Sequence, residues 1–240
     1  MANPAMNEKT FSQLGSSGDS LMTIQWTINK SIILVWITIL SAVMTWLYVD
    51  ITILVPYLLP IIIWAFLFSL VIIFKKETAP YLAPVYAVVE WVVIAIFSAF
   101  FELQYPGIVM QAATATFALF GVMLFMYKAQ IIQVTQKFRS GVIAATGAIM
   151  ILYLISIFWS LTGWFEVPML HSNGPLGIGV SVFIVGIASF NLLLDFDLME
   201  QWVAAKAPKH MEWYAGFALL ITLVWLYIEV LRLLSKIRNR

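Results

Sequence analysis

Seven apolar stretches follow one another along this chain, at 32–49, 53–74, 82–101, 108–127, 141–161, 177–197 and 215–234, each closed by a short polar segment. A helix rising ~1.5 Å per residue needs about twenty residues to cross the ~30 Å hydrocarbon layer of a bilayer. The pattern predicts an all-α integral membrane protein with seven transmembrane helices in residues 31–240 and a flexible tail over 1–30. That tail is polar, with Gly15-Ser16-Ser17-Gly18 at its centre, and lacks the basic, apolar and small-residue succession of a cleavable leader. Residues 21–29 are expected to form an interfacial turn with Trp26 at headgroup level.

Punctuation agrees with this division. Pro56 and Pro60 fall in the first two turns of the second stretch, where a missing amide donor costs least. Tyr105-Pro106-Gly107 forms the turn into the fourth. Small residues within spans usually permit close helix contact, which is the expected role of Gly141, Gly147, Gly177 and Gly179. Gly216 lies too near the start of the last stretch to break it.

Composition narrows the class further. With 62% hydrophobic and 10% charged residues, the chain has more apolar surface than a soluble domain of its length could bury. The absence of cysteine excludes disulfides, thiolate metal sites and cysteine nucleophiles. Scattered bases give no nucleic-acid surface. His171 and His210 sit in loops on opposite sides of the membrane, so neither a shared metal nor a cofactor is expected. No nucleophile, base and orienting acid gather at one depth, which argues against an enzyme.

Lysine and arginine set the orientation. With a cytoplasmic N-terminus the inner segments hold Lys9, Lys30, Lys75, Lys76, Lys128, Lys137, Arg139, Lys206 and Lys209, and the three outer loops hold no base. This is a strong positive-inside asymmetry. Arg232, Lys236, Arg238 and Arg240 then fall outside, unless the last stretch turns back within the membrane; its length and freedom from proline favour seven full crossings. The outer loops carry Asp50, Glu102 and Glu166, a rim that would concentrate cations within a Debye length of ~8 Å.

The acids inside the spans are the candidate chemistry. Taking each stretch's centre as the midplane puts Glu90 within ~3 Å of it, Glu229 ~7 Å towards the outside and Asp195 ~12 Å towards the cytoplasm. Asp197 lies near the inner interface. Asp195 and Glu229, ~19 Å apart in depth, cannot share a proton or an ion directly. Asp195 and Asp197 face different ways, whereas Asp197 and Glu200 share a face. Partners for the two aspartates are expected among Glu200, Lys206, Lys209 and Glu212.

A buried carboxylate must be neutral, paired or hydrated. Glu229 has Arg232 one turn away; Glu90 has no base at its depth. Acids within membrane helices mark ion paths, and oxygen ligands suit Ca²⁺. The expected ion pathway and pH sensor comprise Asp195, Asp197, Glu90, Glu229, Glu200 and Glu212.

Several segments resemble a known family: Tyr105-Pro106-Gly107-Ile108-Val109-Met110-Gln111-Ala112, the run from Asn191 through Asp195 and Asp197 to Glu200, Met211-Glu212-Trp213-Tyr214, and the run from Trp225 to Leu234. Over nearly its whole length the chain is similar to the Bax inhibitor family in its bacterial, YccA-like branch, whose tail Asn3-Pro4, Asn7 and Phe11 also fit. The resemblance implies a central last helix flanked by spans one to three and four to six. It also implies a pH-sensitive calcium leak in a bacterial plasma membrane, with acids of the sixth and seventh helices as sensor and gate. Partners so implied are the lipid bilayer, Ca²⁺ or another cation, and a membrane protein such as a protease; a non-conducting regulator of that protein is the alternative.

The family's sixth-helix aspartate corresponds best to Asp197, with Asp195 a close competitor. Its seventh-helix acid falls where this chain has Leu220, Ile221 and Thr222, so a paired-aspartate gate does not carry over. In the third span the family's Glu-Gly-x-x-Leu-Gly-x-x-Ser keeps Glu90 and Ser98 but has Trp91 and Ala95 in place of the glycines.

Overall fold

A computed structural model of the chain describes residues 21–48, 53, 55–162, 172 and 174–239. Apart from one isolated bridge, the regular structure among them is helical. The α-helices are α1 (Ile24–Tyr48), α2 (Leu58–Phe74), α3 (Ala79–Gln104), α4 (Ile108–Lys128), α5 (Gln136–Thr162), α6 (Pro175–Ala204) and α7 (Met211–Arg238). Short 3₁₀ turns, Val55–Tyr57 and Lys76–Thr78, precede α2 and α3. Six of these helices are long and apolar enough to cross a membrane; α2 is a shorter apolar helix of 17 residues. At 1.5 Å per residue α2 is ~25 Å long, at the lower limit for a spanning helix. The chain is a multi-pass membrane protein.

The helices outrun the apolar stretches that announce them. Apolarity marks the part of a helix in lipid, whereas the backbone ladder continues through polar residues into the interface. α6 therefore ends at Ala204, well past Asp197, and α7 begins at Met211 with Glu212 in its first turn. The start of α1 corrects the expected tail and interfacial turn: Ile24 already opens the helix, and Thr27, Lys30 and Ser31 are buried. Ahead of it Leu21 bridges to Pro208, and the Met22 amide donates to the Ala207 carbonyl at 2.9 Å. Trp26 is exposed on α1. Residues 1–20 lie outside the described residues.

Two compact units divide the chain, one of residues 1–96 with 197–220 and one of 97–196 with 221–240. α3, α6 and α7 each contribute to both. In the first unit Met22, Ala207, Met211 and Ala215 form a buried cluster with Trp202 and Tyr214 packed on it. α1 approaches α7 so closely that a Cβ on Gly216 would lie 3.2 Å from both Leu34 Cδ1 and Ser31 Oγ. Gly216 is thus the packing glycine. The glycines expected in that role do not fill it: added Cβ atoms at Gly141, Gly147 and Gly179 meet nothing within 4 Å, and at Gly177 one would strike Ser172. Those glycines lie within apolar runs, but at Gly141, Gly147 and Gly179 the missing side chain faces open space.

In the second unit Ile149, Ile184 and Ile187 pack with Tyr153, Phe190 and Trp225, joining α5, α6 and α7. Gly107 adopts φ +81° at the start of α4, where a side chain would be strained. The Glu102 carboxylate accepts from the Gly107 and Val109 amides at 2.6 and 3.1 Å, satisfying donors that the helix start leaves open. Glu102 is therefore a helix cap rather than part of a free acidic rim. Asp50, Glu166 and His171 lie outside the described residues.

Candidate functional site

Thr222, Trp225, Glu229, Arg232 and Lys236 recur at intervals of three and four along α7, a spacing that lines them up on one helix face. All belong to the second unit. Glu229 is 2% exposed, and its Oε1 accepts from the Tyr153 hydroxyl at 2.8 Å, the Trp225 indole N–H at 3.2 Å and Arg232 at 3.3 Å. Arg232 also stacks over the Tyr153 ring at 5.0 Å. This bears out the expected Glu229–Arg232 pair and gives the glutamate a fixed cation.

Two further bases near the end of α7 are also hydrogen-bonded within the protein, and Arg240 lies outside the described residues. Lys236 is buried and donates to the Ser181 hydroxyl at 2.8 Å and the Gly177 carbonyl at 3.2 Å. Arg238 donates to the Pro106 carbonyl at 2.9 Å and to the Gln111 side chain at 3.0 Å. α7 is continuous over its 28 residues.

One step inward on the same face, Thr222 is hydrogen-bonded to Asp195 of α6. The Asp195 Oδ2 is buried and has no hydrogen-bond partner among the described residues. No ion pair with a lysine, arginine or histidine occurs at Asp195 among those residues. The expected partners Glu200, Lys206, Lys209 and Glu212 are thus replaced by a hydroxyl from α7.

Asp197 belongs to the other unit, where the Gln201 amide donates to its Oδ2 at 2.7 Å. Glu200 lies exposed one turn further on. Glu212 is fully buried and committed elsewhere: it is ion-paired with Lys30 and accepts from the Thr23 amide at 3.0 Å. Lys30 in turn lies 5.3 Å from the Trp213 ring centre. Glu212 thus caps the start of α1, not a pair of aspartates.

Glu90, in the middle of α3, accepts from the Tyr86 hydroxyl one turn back. The pair borders a cavity of about 260 Å³ between α2 and α3, lined also by Ile62, Ala65, Phe66, Ser69 and Val93. Glu90 is hydrogen-bonded beside open space, one of the states expected for it. Tyr86 is itself held edge-on against Phe217, with ring centres 4.9 Å apart. Ser98, which survives from the family's third-span pattern, shares a hydrogen bond of 2.7 Å with the Tyr227 hydroxyl. His210 offers its backbone carbonyl to the Trp213 and Tyr214 amides at the start of α7. No group of three metal-ligating side chains occurs among the described residues.

Sequence reasoning passed over Tyr153 and Tyr86, and it named Thr222 and Lys30 without giving either an acid as partner. Thr222 had a signal, since it precedes Glu229 by two turns on the same face, and Tyr86 precedes Glu90 by one. Lys30 and Tyr153 reach their acids from distant parts of the chain, where spacing carries no information. A family model described as Bax inhibitor 1 like matches residues 3–239. Among curated proteins nothing matches the chain.

Proposed function

The chain belongs to the Bax inhibitor 1 like family, and from that premise we propose that it is a pH-sensitive cation leak, for Ca²⁺ first of all, with Asp195 as the titrating group. The supporting observation is the Asp195–Thr222 contact, with one carboxylate oxygen buried and unpartnered. A buried charge with no fixed counter-charge costs several kcal/mol, so the residue gives little structural return. A hydroxyl can donate to a carboxylate or accept from a carboxylic acid, so Thr222 serves Asp195 in either protonation state. Thr222 is also one of the three residues at the position where the family resemblance calls for an acid, so a threonine–aspartate contact stands in for an aspartate pair.

The pathway in this reading is narrower than the six acids first expected. Glu229 and Glu212 carry fixed bases and are removed from it. Asp197 and Glu200 stay as inner-end groups of α6. The reading includes seven crossings with α7 central, a cytoplasmic N-terminus and the plasma membrane of a bacterium.

Proteoliposomes loaded with a calcium-sensitive dye test it. Wild-type protein should leak Ca²⁺ at a rate that changes with pH, and Asp195→Asn should leak at a rate that does not; Glu229→Gln should keep the pH response. An unaltered pH response in Asp195→Asn would remove the mechanism. The second reading, a non-conducting regulator of a membrane protease or other membrane protein, is favoured by the Glu212–Lys30 and Glu229–Arg232 pairs, which give two acids structural work. Wild-type liposomes no leakier than empty ones at any pH would decide for it.

A further inference from the structure

We propose that the cavity between α2 and α3 is a binding site for a small lipophilic primary amine, entered from the hydrocarbon side. The inference does not rest on the leak reading. α2 is apolar along its whole length, with Ser69 its sole hydroxyl. Leu59, Ile63, Trp64 and Leu67 are exposed on it, as are Ile62 and Phe66 at the mouth of the cavity. In a membrane helix such residues meet acyl chains. The cavity therefore opens to lipid.

Once the Glu90 carboxylic acid has given its proton to an arriving amine, the polar atoms that the described residues place inside are all acceptors. The Ser69 hydroxyl spends its proton on the Phe66 carbonyl at 2.7 Å, and the Tyr86 hydroxyl spends its own on Glu90. What they leave to a ligand is the oxygen of Ser69, the oxygen of Tyr86 and the Glu90 carboxylate. Among the described residues no lysine, arginine or histidine lines the cavity. Three acceptors and no free donor match an ammonium group, which has three N–H donors and no acceptor.

The apolar wall of Ile62, Ala65, Phe66 and Val93 matches a hydrocarbon body. An inorganic cation is excluded by the route, because a bare ion would have to cross hydrocarbon to reach the mouth. An amine can travel that way as the neutral base and take its proton at the carboxyl group. The volume of about 260 Å³ is below the ~300–1,000 Å³ typical of drug-sized sites, so the ligand is compact.

Equilibrium binding of tritiated 1-aminoadamantane to the full-length protein in lipid nanodiscs tests this, with empty nanodiscs correcting for partition into lipid. Saturable binding is expected, weakened at least tenfold by Glu90→Gln through loss of the charge-assisted contact. Ser69→Leu, at a half-buried position on an apolar helix, should fill the mouth and weaken binding without endangering the fold. The alcohol 1-adamantanol should fail to compete. Asp195→Asn should bind as wild type, so loss of the leak and loss of this site are read separately. Binding no greater than in empty nanodiscs, equal binding by Glu90→Gln, or equal competition by the alcohol would each overturn the proposal.

Discussion

Lys30→Met is expected to destabilise the protein by about 3–5 kcal/mol, the typical cost of removing one partner of a buried ion pair. Glu212 has a side chain with no exposure, and without Lys30 its remaining partner among the described residues is the Thr23 amide. The cost comes from the charge left behind rather than from the lost attraction. For that reason the double variant Lys30→Met, Glu212→Met should recover most of the loss, since replacing both members of a buried pair by apolar residues is often neutral. Unfolding of the purified protein in micelles, followed by tryptophan fluorescence, measures both. Equal stability of wild type and Lys30→Met would mean that water reaches Glu212. The pair matters for the fold because it ties the first turns of α1 to the first turn of α7, beside the Leu21–Pro208 bridge.

The opposite sign is expected at Asp195. The double variant Asp195→Leu, Thr222→Val should be at least as stable as wild type and by up to ~1–3 kcal/mol more so, the penalty carried by a buried polar group without a partner. Both members of the contact are replaced, so no hydroxyl is left unpaired. The same variant should lose the pH response of the leak. A gain in stability with a loss of function separates a group kept for its chemistry from one kept for the fold. Destabilisation by several kcal/mol in the same unfolding assay would instead make Asp195 a structural strut.

The two sites differ in how far they could be read in advance. Membrane class and helix number follow from twenty-residue apolar runs, and the Glu229–Arg232 pair follows from a spacing of three on one helix. Both are local properties of the chain. The partner of Glu212 is not local: Lys30 stands 182 positions away, and only the packed fold brings it near. Glu90 lies near the middle of α3, as it does of its apolar run. Asp195 lies nearer the middle of α6 than the middle of its apolar run, because the residues from Glu200 to Ala204 belong to the helix without belonging to the run. Glycines misled for a related reason: Gly141 and Gly147 look like contact residues, yet the close approach occurs at Gly216, where Ser31 on α1 is small enough to allow it.

Infrared difference spectra of the reconstituted protein, recorded after a pH step, would follow carboxyl groups as they gain or lose a proton. The account predicts a carboxyl band whose change with pH follows the calcium flux of the same preparation and which disappears in Asp195→Asn. A flux that varies with pH while that band stays constant, or a band that persists unchanged in Asp195→Asn, would contradict it.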